Sequence, residues 1–259
     1  MNKKIKAIID KKNKSQIVSL TAYSKNIAKI LDKYCDIILV GDSMANVLYG
    51  LKNTHKITLE NIIQHSLSVK KGVKKALLVV DMPKGSYKDA NSAKKNAKIL
   101  MHSTGCDAVK IESNKMNYKI INELIKSKIP VMGHIGFTPQ FKKKFRIEGA
   151  TEKKMKELLN EALLIEKAGA FSIVLECVAP KTSKLITSQL SIPTIGIGSS
   201  SYCDGQILVT DDMLGISGFY PKFVKKYALV DAVIEKAVKK YTRDVKLKKF
   251  PNKKNFLNE

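Results

Sequence analysis

The sequence predicts an α/β fold, a (βα)8 TIM barrel, and three observations predict it. The chain has 259 residues with no Pro-, Gly- or Ser-rich linker, which is the usual length of one closed barrel. Eight short runs rich in Val and Ile alternate with longer, Lys-rich segments of helical period. Most runs are apolar at successive positions, as parallel strands buried on both faces are. A doubly wound open sheet is the alternative for such alternation; the even spacing and the length favour closure.

The first run is QIVSLTAY (16–23), followed by DIILVGD (36–42) and ALLVVDM (76–82). DAVKIE (107–112), IPVMGHIG (129–136) and FSIVLEC (171–177) form the middle of the set, and IPTIGIGS (192–199) and GQILVTDD (205–212) complete it. Between the second and third runs, TLENIIQHSLSVKKGV (58–73) has Thr58 as an N-cap and apolar Ile62, Ile63, Leu67 and Val69, a helical pattern. TEKKMKELLNEALLIEKAGA (151–170) starts at Thr151 and stops at Gly169, a normal C-terminal signal. We expect one domain over 1–259, with 244–259 as a surface tail, because KLKKFPNKKNFLNE carries no core pattern.

The net charge of +24 raises the possibility of nucleic-acid binding. Lysine is instead spread along helical polar faces, without the interleaved aromatics of a stacking platform. We therefore expect no nucleic-acid partner and read the charge as compositional bias that steers anionic substrates. No apolar run approaches the ~18 residues of a membrane span, and Asp10 and the lysines beside it break any signal-peptide core. A cytoplasmic protein without a membrane partner is the expectation. Cys35, Cys106, Cys177 and Cys203 form no C-x-x-C pair, so reduced thiols are expected.

Catalytic groups of this fold lie at the C-terminal ends of the strands. Those ends carry Asp42 and Ser43, Asp81, Lys110 and Glu112, His134, and Glu176. Any one of them could be a satisfied structural group. Five successive strands ending in ionisable residues point to a shared ligand, because a desolvated carboxylate costs several kcal/mol unless paired or metal-bound. Asp42, Asp81 and Glu112 are hard oxygen donors that suit Mg2+ better than Zn2+. Such a site would chelate a 2-oxo acid and acidify the carbon beside its ketone. Lys110 would neutralise the substrate carboxylate and Ser43 would donate a hydrogen bond to it. Glu176, apart from the metal trio, would be the proton acceptor, its pKa raised by burial. The glycines of IGIGSSSYCDG (195–205) lack the G-x-G-x-x-G spacing of a dinucleotide site.

These segments carry a family likeness. VGDSMANVLYG, VVDMPKGSY, VKIE, PVMGHIGFTPQ, VLECV, IPTIGIGSSSYCDGQILV and DMLGI resemble, in order, the signature segments of the ketopantoate hydroxymethyltransferase family. The likeness runs from about Ser19 into the tail. It implies a barrel of the phosphoenolpyruvate/pyruvate type, Mg2+, 3-methyl-2-oxobutanoate as acceptor and 5,10-methylenetetrahydrofolate as one-carbon donor. It places Asp42, Asp81 and Glu112 on the metal site, Asp42, Ser43, Asp81 and Lys110 on the oxo acid, and Glu176 on the proton acceptor. His134 would line the site. A homo-oligomer, commonly a decamer, is implied as well.

The chain departs from the pattern at three places. Ser24 follows TAY where Asp is usual, and Ala45 replaces the Gly of GDS-x-G, which matters only if that backbone needs φ > 0. FKKKFRIEG (141–149) is shortened, lacks paired glycines and has Glu148 for Gln. The loop 138–150 is expected to cover the site. A lyase or mutase on the same barrel is the competing enzyme; such relatives carry a lid cysteine, and 137–150 has none.

Overall fold

The computed structural model describes residues 2–113, 118–142, 144–218 and 220–256. Lys143 in the expected loop 138–150 and residues 257–259 of the expected tail lie outside the described residues. The chain forms two compact units, Met1–Thr210 and Asp211–Glu259.

The first unit is a closed parallel barrel with its eight strands in sequence order. The strands are β1 (Ile17–Thr21), β2 (Ile37–Val40), β3 (Leu77–Asp81), β4 (Ala108–Glu112), β5 (Val131–Gly136), β6 (Ser172–Glu176), β7 (Thr194–Ile197) and β8 (Gly205–Leu208). Each falls inside one of the eight predicted runs. The eighth run overshoots its strand, because Thr210–Leu214 is helical.

The helices of this unit are α1 (Lys3–Ile9), α2 (Lys25–Leu31), α3 (Met44–Val47), α4 (Leu59–Lys70), α5 (Ala90–Thr104), α6 (Tyr118–Lys126), α7 (Glu152–Lys167) and α8 (Pro180–Gln189). α4 begins at Thr58 with a reciprocal cap, Thr58 and Asn61 each bonding the other's backbone. It buries Ile62, Ile63 and Val69, but Leu67 faces outward. α7 is capped by Thr151 and the chain leaves it through Gly169 at φ +101°.

Apolar side chains divide by parity. Ile37, Leu39, Leu77, Val79, Ala108, Met132, Val174, Ile195 and Ile207 fill the barrel interior. Ile38, Val40, Leu78, Val80, Val109 and Ile111 pack outward in the layer shared with the helices. Ile5 and Ile8 of α1 join the interior cluster, and Lys4 Nζ donates to the Ala76 carbonyl at 2.8 Å just before β3. α1 therefore stoppers the N-terminal mouth. The opposite mouth is left for chemistry.

The second unit holds most of α9 (Thr210–Leu214) and α10 (Val230–Lys246). α10 has no buried residue, and it carries a row of exposed Val233, Ile234, Val238, Tyr241 and Val245 at helical spacing.

Candidate active site

Parity also sets the layer above the apolar interior. Along the inward stripes Val79 is followed by Asp81, Ala108 by Lys110 and Glu112, Met132 by His134, and Val174 by Glu176. The ladder register sets Asp81 beside Lys110, Glu112 beside His134 and Gly136 beside Glu176. Asp42 and Ser43 follow β2 on the turn into α3. All the residues expected at the site are thus brought to one mouth.

Their partners are specific. Lys110 Nζ sits 2.7 Å from Asp81 Oδ1, so its first anion is Asp81. Asp81 Oδ2 accepts the Asp42 backbone N–H at 3.0 Å. Ser43 Oγ is 2.9 Å from the Tyr23 hydroxyl. His134 Nε2 lies 3.2 Å from Glu176 Oε2 and its Nδ1 3.7 Å from Glu112 Oε1, with neither contact aligned as a hydrogen bond. Beyond Glu176 the chain turns through Cys177 at φ +53°, a strained setting that such sites often hold.

Gly136 shows why that strand end needs glycine. Its φ is +94°, and a Cβ there would stand 2.2 Å from the Glu176 carbonyl oxygen. Any side chain would push β6 away at the residue that carries the carboxyl group. Ala45, by contrast, lies buried inside α3 and is not among the non-glycine residues with positive φ. The backbone there does not need glycine. Ser24 occupies the N-cap position of α2 without a side-chain cap bond.

Three contacting residues are absent from the sequence reading. Gln140 is buried, and its Nε2 donates to Asp42 Oδ2 at 2.9 Å and to the Met82 carbonyl at 3.0 Å. Its backbone N–H donates to Glu112 Oε2 at 2.9 Å. The buried Tyr87 hydroxyl donates to Gln140 Oε1 at 2.5 Å. Tyr23, bonded to Ser43, is the third. No signal in the sequence marks them; burial, which obliges the Gln140 carboxamide to find partners, is set by the closed barrel.

The electrostatics follow from burial. Desolvation first, then Asp81, raises the Asp42 carboxyl to about 7. Desolvation and Asp42 push Glu112 well above the ordinary carboxylate range. Desolvation raises Glu176 to about 8, with Lys110 opposing. Burial alone would lower Lys110, but Asp81, Glu112 and Asp42 outweigh it and hold its ammonium charged. Burial and Lys110 keep His134 far below its usual value, a neutral imidazole. Carboxyl groups therefore crowd a mouth that is short of positive charge. The four cysteines are free and buried.

The sequence predicts that Asp42, Asp81 and Glu112 share one ion. Among the described residues no group of three His, Cys, Asp or Glu is gathered as a metal site. The trio is not preassembled, because Gln140 links Asp42 to Glu112 while Lys110 takes Asp81. The donor chemistry still fits a hard cation: buried carboxyl oxygens whose charge nothing on the spot fully offsets. The inward position of β2 above Leu39 is Gly41, where a Cβ would stand 2.9 Å from Ser43 Oγ and 3.4 Å from Asp81 Oδ2. That glycine keeps space open beside two expected ligand contacts.

The segment after β5 is tied down on both sides. Lys142 Nζ donates to the Gly136 carbonyl at 2.6 Å and pairs with Glu148 at 3.0 Å. Glu148 N–H donates to the Cys177 carbonyl at 2.8 Å. Phe137 and Phe145 stack with centroids 4.2 Å apart, while Ile147 is 69% exposed. The Glu148 backbone thus anchors the segment to the end of β6, while its carboxylate, the departure from the family pattern, pairs with Lys142 and Arg146 inside the segment.

Comparison with known proteins bears on the family and the fold. The model of the family Ketopantoate hydroxymethyltransferase matches residues 2–253. The 3-methyl-2-oxobutanoate hydroxymethyltransferase of Pelagibacter ubique (strain HTCC1062) is 51% identical over 98% of this chain and 99% of its own. That of Bartonella quintana (strain Toulouse) is 46% identical over 95% of this chain and 90% of its own. Among solved structures, phosphoenolpyruvate phosphomutase from Streptomyces platensis subsp. rosaceus superposes with a TM-score of 0.65 at 13% identity, covering 94% of this chain and 86% of that one. 2,3-Dimethylmalate lyase, a PEP mutase/isocitrate lyase superfamily member, gives 0.60 at 13%, covering 100% and 93%. Phosphonopyruvate hydrolase, solved with oxalate and Mg++, gives 0.62 at 11%, covering 94% and 87%. The structural matches show the fold, a closed parallel (βα)8 barrel, and the sequence matches show the family. With a closed barrel whose strand ends carry the expected residues, the chain belongs to the ketopantoate hydroxymethyltransferase family.

Proposed function

We propose that the chain transfers a hydroxymethyl group from 5,10-methylenetetrahydrofolate to 3-methyl-2-oxobutanoate, giving 2-dehydropantoate on the route to pantothenate. The observation that carries this is 51% identity, over 98% of the chain, to a relative named for that activity. Asp42, Asp81 and Glu112 would hold Mg2+, which would supply Lewis acidity at the keto oxygen. A neighbour of the same fold solved with oxalate and Mg++ supports the choice of ion. Lys110 and Ser43 would orient the oxo acid. Glu176 would take the proton from C3, and the resulting enolate carbon would attack the one-carbon unit; both carbon–nitrogen bonds to the folate break, one water supplies the hydroxyl oxygen, and tetrahydrofolate leaves. His134, neutral beside Glu176, would line the site. Assay of 2-dehydropantoate with each of Mg2+ and the folate omitted in turn tests this reading. Product formed without the folate would defeat it.

The segment 138–150 would close over the bound substrates. Hydrogen exchange at its amides is expected to slow on adding the oxo acid with Mg2+. Exchange already slow in the free protein and unchanged by ligands would exclude the closure. We further read 1–259 as one functional domain with 244–259 as a surface tail, cytoplasmic, and a homo-oligomer of decamer size. No helix among the described residues is long and apolar enough to cross a membrane. The exposed apolar row on α10 supports self-association. Light scattering is expected to give a mass many times that of one chain, and a monomeric mass would refute it.

A further inference from the structure

We propose that Gln140 is a positioning residue that couples the turn Thr138–Lys142 to the cation-binding carboxylates. The proposal rests on the reading above that Asp42, Asp81 and Glu112 hold the ion. Gln140 is 1% exposed, and every polar group of its carboxamide is used. Oε1 accepts from Tyr87, and Nε2 donates to Asp42 Oδ2 and to the Met82 carbonyl. Its backbone N–H donates to Glu112 Oε2. One residue outside the ligand set thus fixes one oxygen of each of two expected ligands.

The residue type matters. Met would fill the same volume with no donor. Glu would add a carboxylate against Asp42. Asn is one methylene short of reaching both Asp42 and Met82. N–H donors aimed at two neighbouring carboxylates also offset their mutual repulsion, a charge-assisted contact stronger than a neutral one. Groups that hydrogen-bond to metal ligands set ligand orientation, and their loss commonly costs 10–100-fold in metal affinity.

The turn that carries Gln140 is closed by its own backbone bonds and touched from outside by His55. Phe141 and Lys142 N–H groups donate to the Thr138 carbonyl at 2.9 and 2.8 Å. His55 Nε2 lies 3.1 Å from the Pro139 carbonyl oxygen. Pro139 fixes φ just before Gln140, so the turn and the carboxamide move as one piece. Any shift of the turn is felt at Asp42 and Glu112 together, and an ion that fixes those carboxylates restrains the turn.

Mn2+ binding followed by electron paramagnetic resonance tests this, with hydrogen exchange at the 138–142 amides as a second readout. Gln140→Met removes the side-chain bond to Asp42 but keeps the backbone N–H to Glu112; it is expected to weaken Mn2+ by about 10–100-fold, and saturating Mn2+ should slow exchange in the turn less than it does in the wild type. Tyr87→Phe leaves the Gln140 donors in place but loosens them. It should weaken Mn2+ by a smaller factor in the same direction, and it carries the test if Gln140→Met does not fold. A residue that only plugs space would change the unfolding temperature and leave both readouts as in the wild type. Folded variants that bind Mn2+ as the wild type does would overturn the proposal. Failure of the wild type to bind Mn2+ would instead overturn the metal reading, and this coupling with it.

Discussion

Asp81→Asn is expected to lower the Mg2+-dependent affinity for 3-methyl-2-oxobutanoate by at least ~100-fold, about 2.8 kcal/mol, while the barrel still folds. Asp81 does two jobs at once: one oxygen faces Lys110 at 2.7 Å and the other accepts the Asp42 N–H at 3.0 Å. The Asn oxygen can keep the second contact, so the turn after β2 should hold its shape. The charge is lost, and with it one expected anionic ligand and the first counter-ion of Lys110. Removing one partner of a buried ion pair ordinarily destabilises by about 3–5 kcal/mol. The cost here should fall below that range, because Glu112 and Asp42 also hold up the Lys110 charge. Calorimetric titration of the oxo acid with and without Mg2+ measures the effect, and thermal unfolding checks the fold. Mg2+ that strengthens binding to the variant as much as to the wild type would remove Asp81 from the metal site.

The fold was legible because one rule generated it. A continuously apolar run such as ALLVVDM has both faces buried, and only strands flanked by helices on one side and by an interior on the other allow that. The same rule explains the overshoot at GQILVTDD: after Leu208 the alternation is no longer read against a neighbour, and Thr210 opens a short helix instead. α1 is not legible in the sequence because its two interior residues, Ile5 and Ile8, stand in a short segment that Lys3, Lys4 and Lys6 make strongly charged. What buries them is the open N-terminal mouth of the barrel, which local pattern does not contain.

The site was legible to the extent that it is an extension of strand parity. Asp81, Lys110, Glu112, His134 and Glu176 each continue an inward stripe, so their convergence follows from the alternation of side chains. Gln140, Tyr87 and Tyr23 lie on segments after strands, where no period says which way a side chain points. Their contacts join residues 53 and 98 positions apart in Gln140's case, and such contacts follow from the closed barrel rather than from neighbours in sequence. The metal trio illustrates the same limit: composition at the strand ends identifies the donors, but the arrangement through Gln140 and Lys110 depends on tertiary packing.

Glu176→Gln is expected to leave binding of the oxo acid with Mg2+ intact and to slow exchange of its C3 hydrogen for deuterium by about 10²–10⁴-fold, the usual worth of a general base. C3 must lose a proton before a carbon–carbon bond can form. Glu176 ends β6, outside the Asp42, Asp81 and Glu112 set, and its pKa is raised to about 8, inside the range useful to a base near neutrality. A purely structural Glu176 would serve as the anchor of Lys110, yet Lys110 pairs with Asp81. The sign of the pH dependence follows: the carboxyl must lose its proton to act, so exchange by the wild type should rise with pH and level off above about 8, and the variant should lack that rise. Stability moves the opposite way. A carboxyl raised from 4.5 to about 8 on folding contributes stability that is present below 4.5 and lost as pH rises through 8. Glu176→Gln should therefore match or trail the wild type in unfolding temperature at pH 5 and gain on it at pH 9. NMR of the substrate in D₂O follows the exchange directly. Near-normal exchange with normal binding would take the proton transfer away from Glu176 and leave His134, 3.2 Å from it, as the remaining protein group to test.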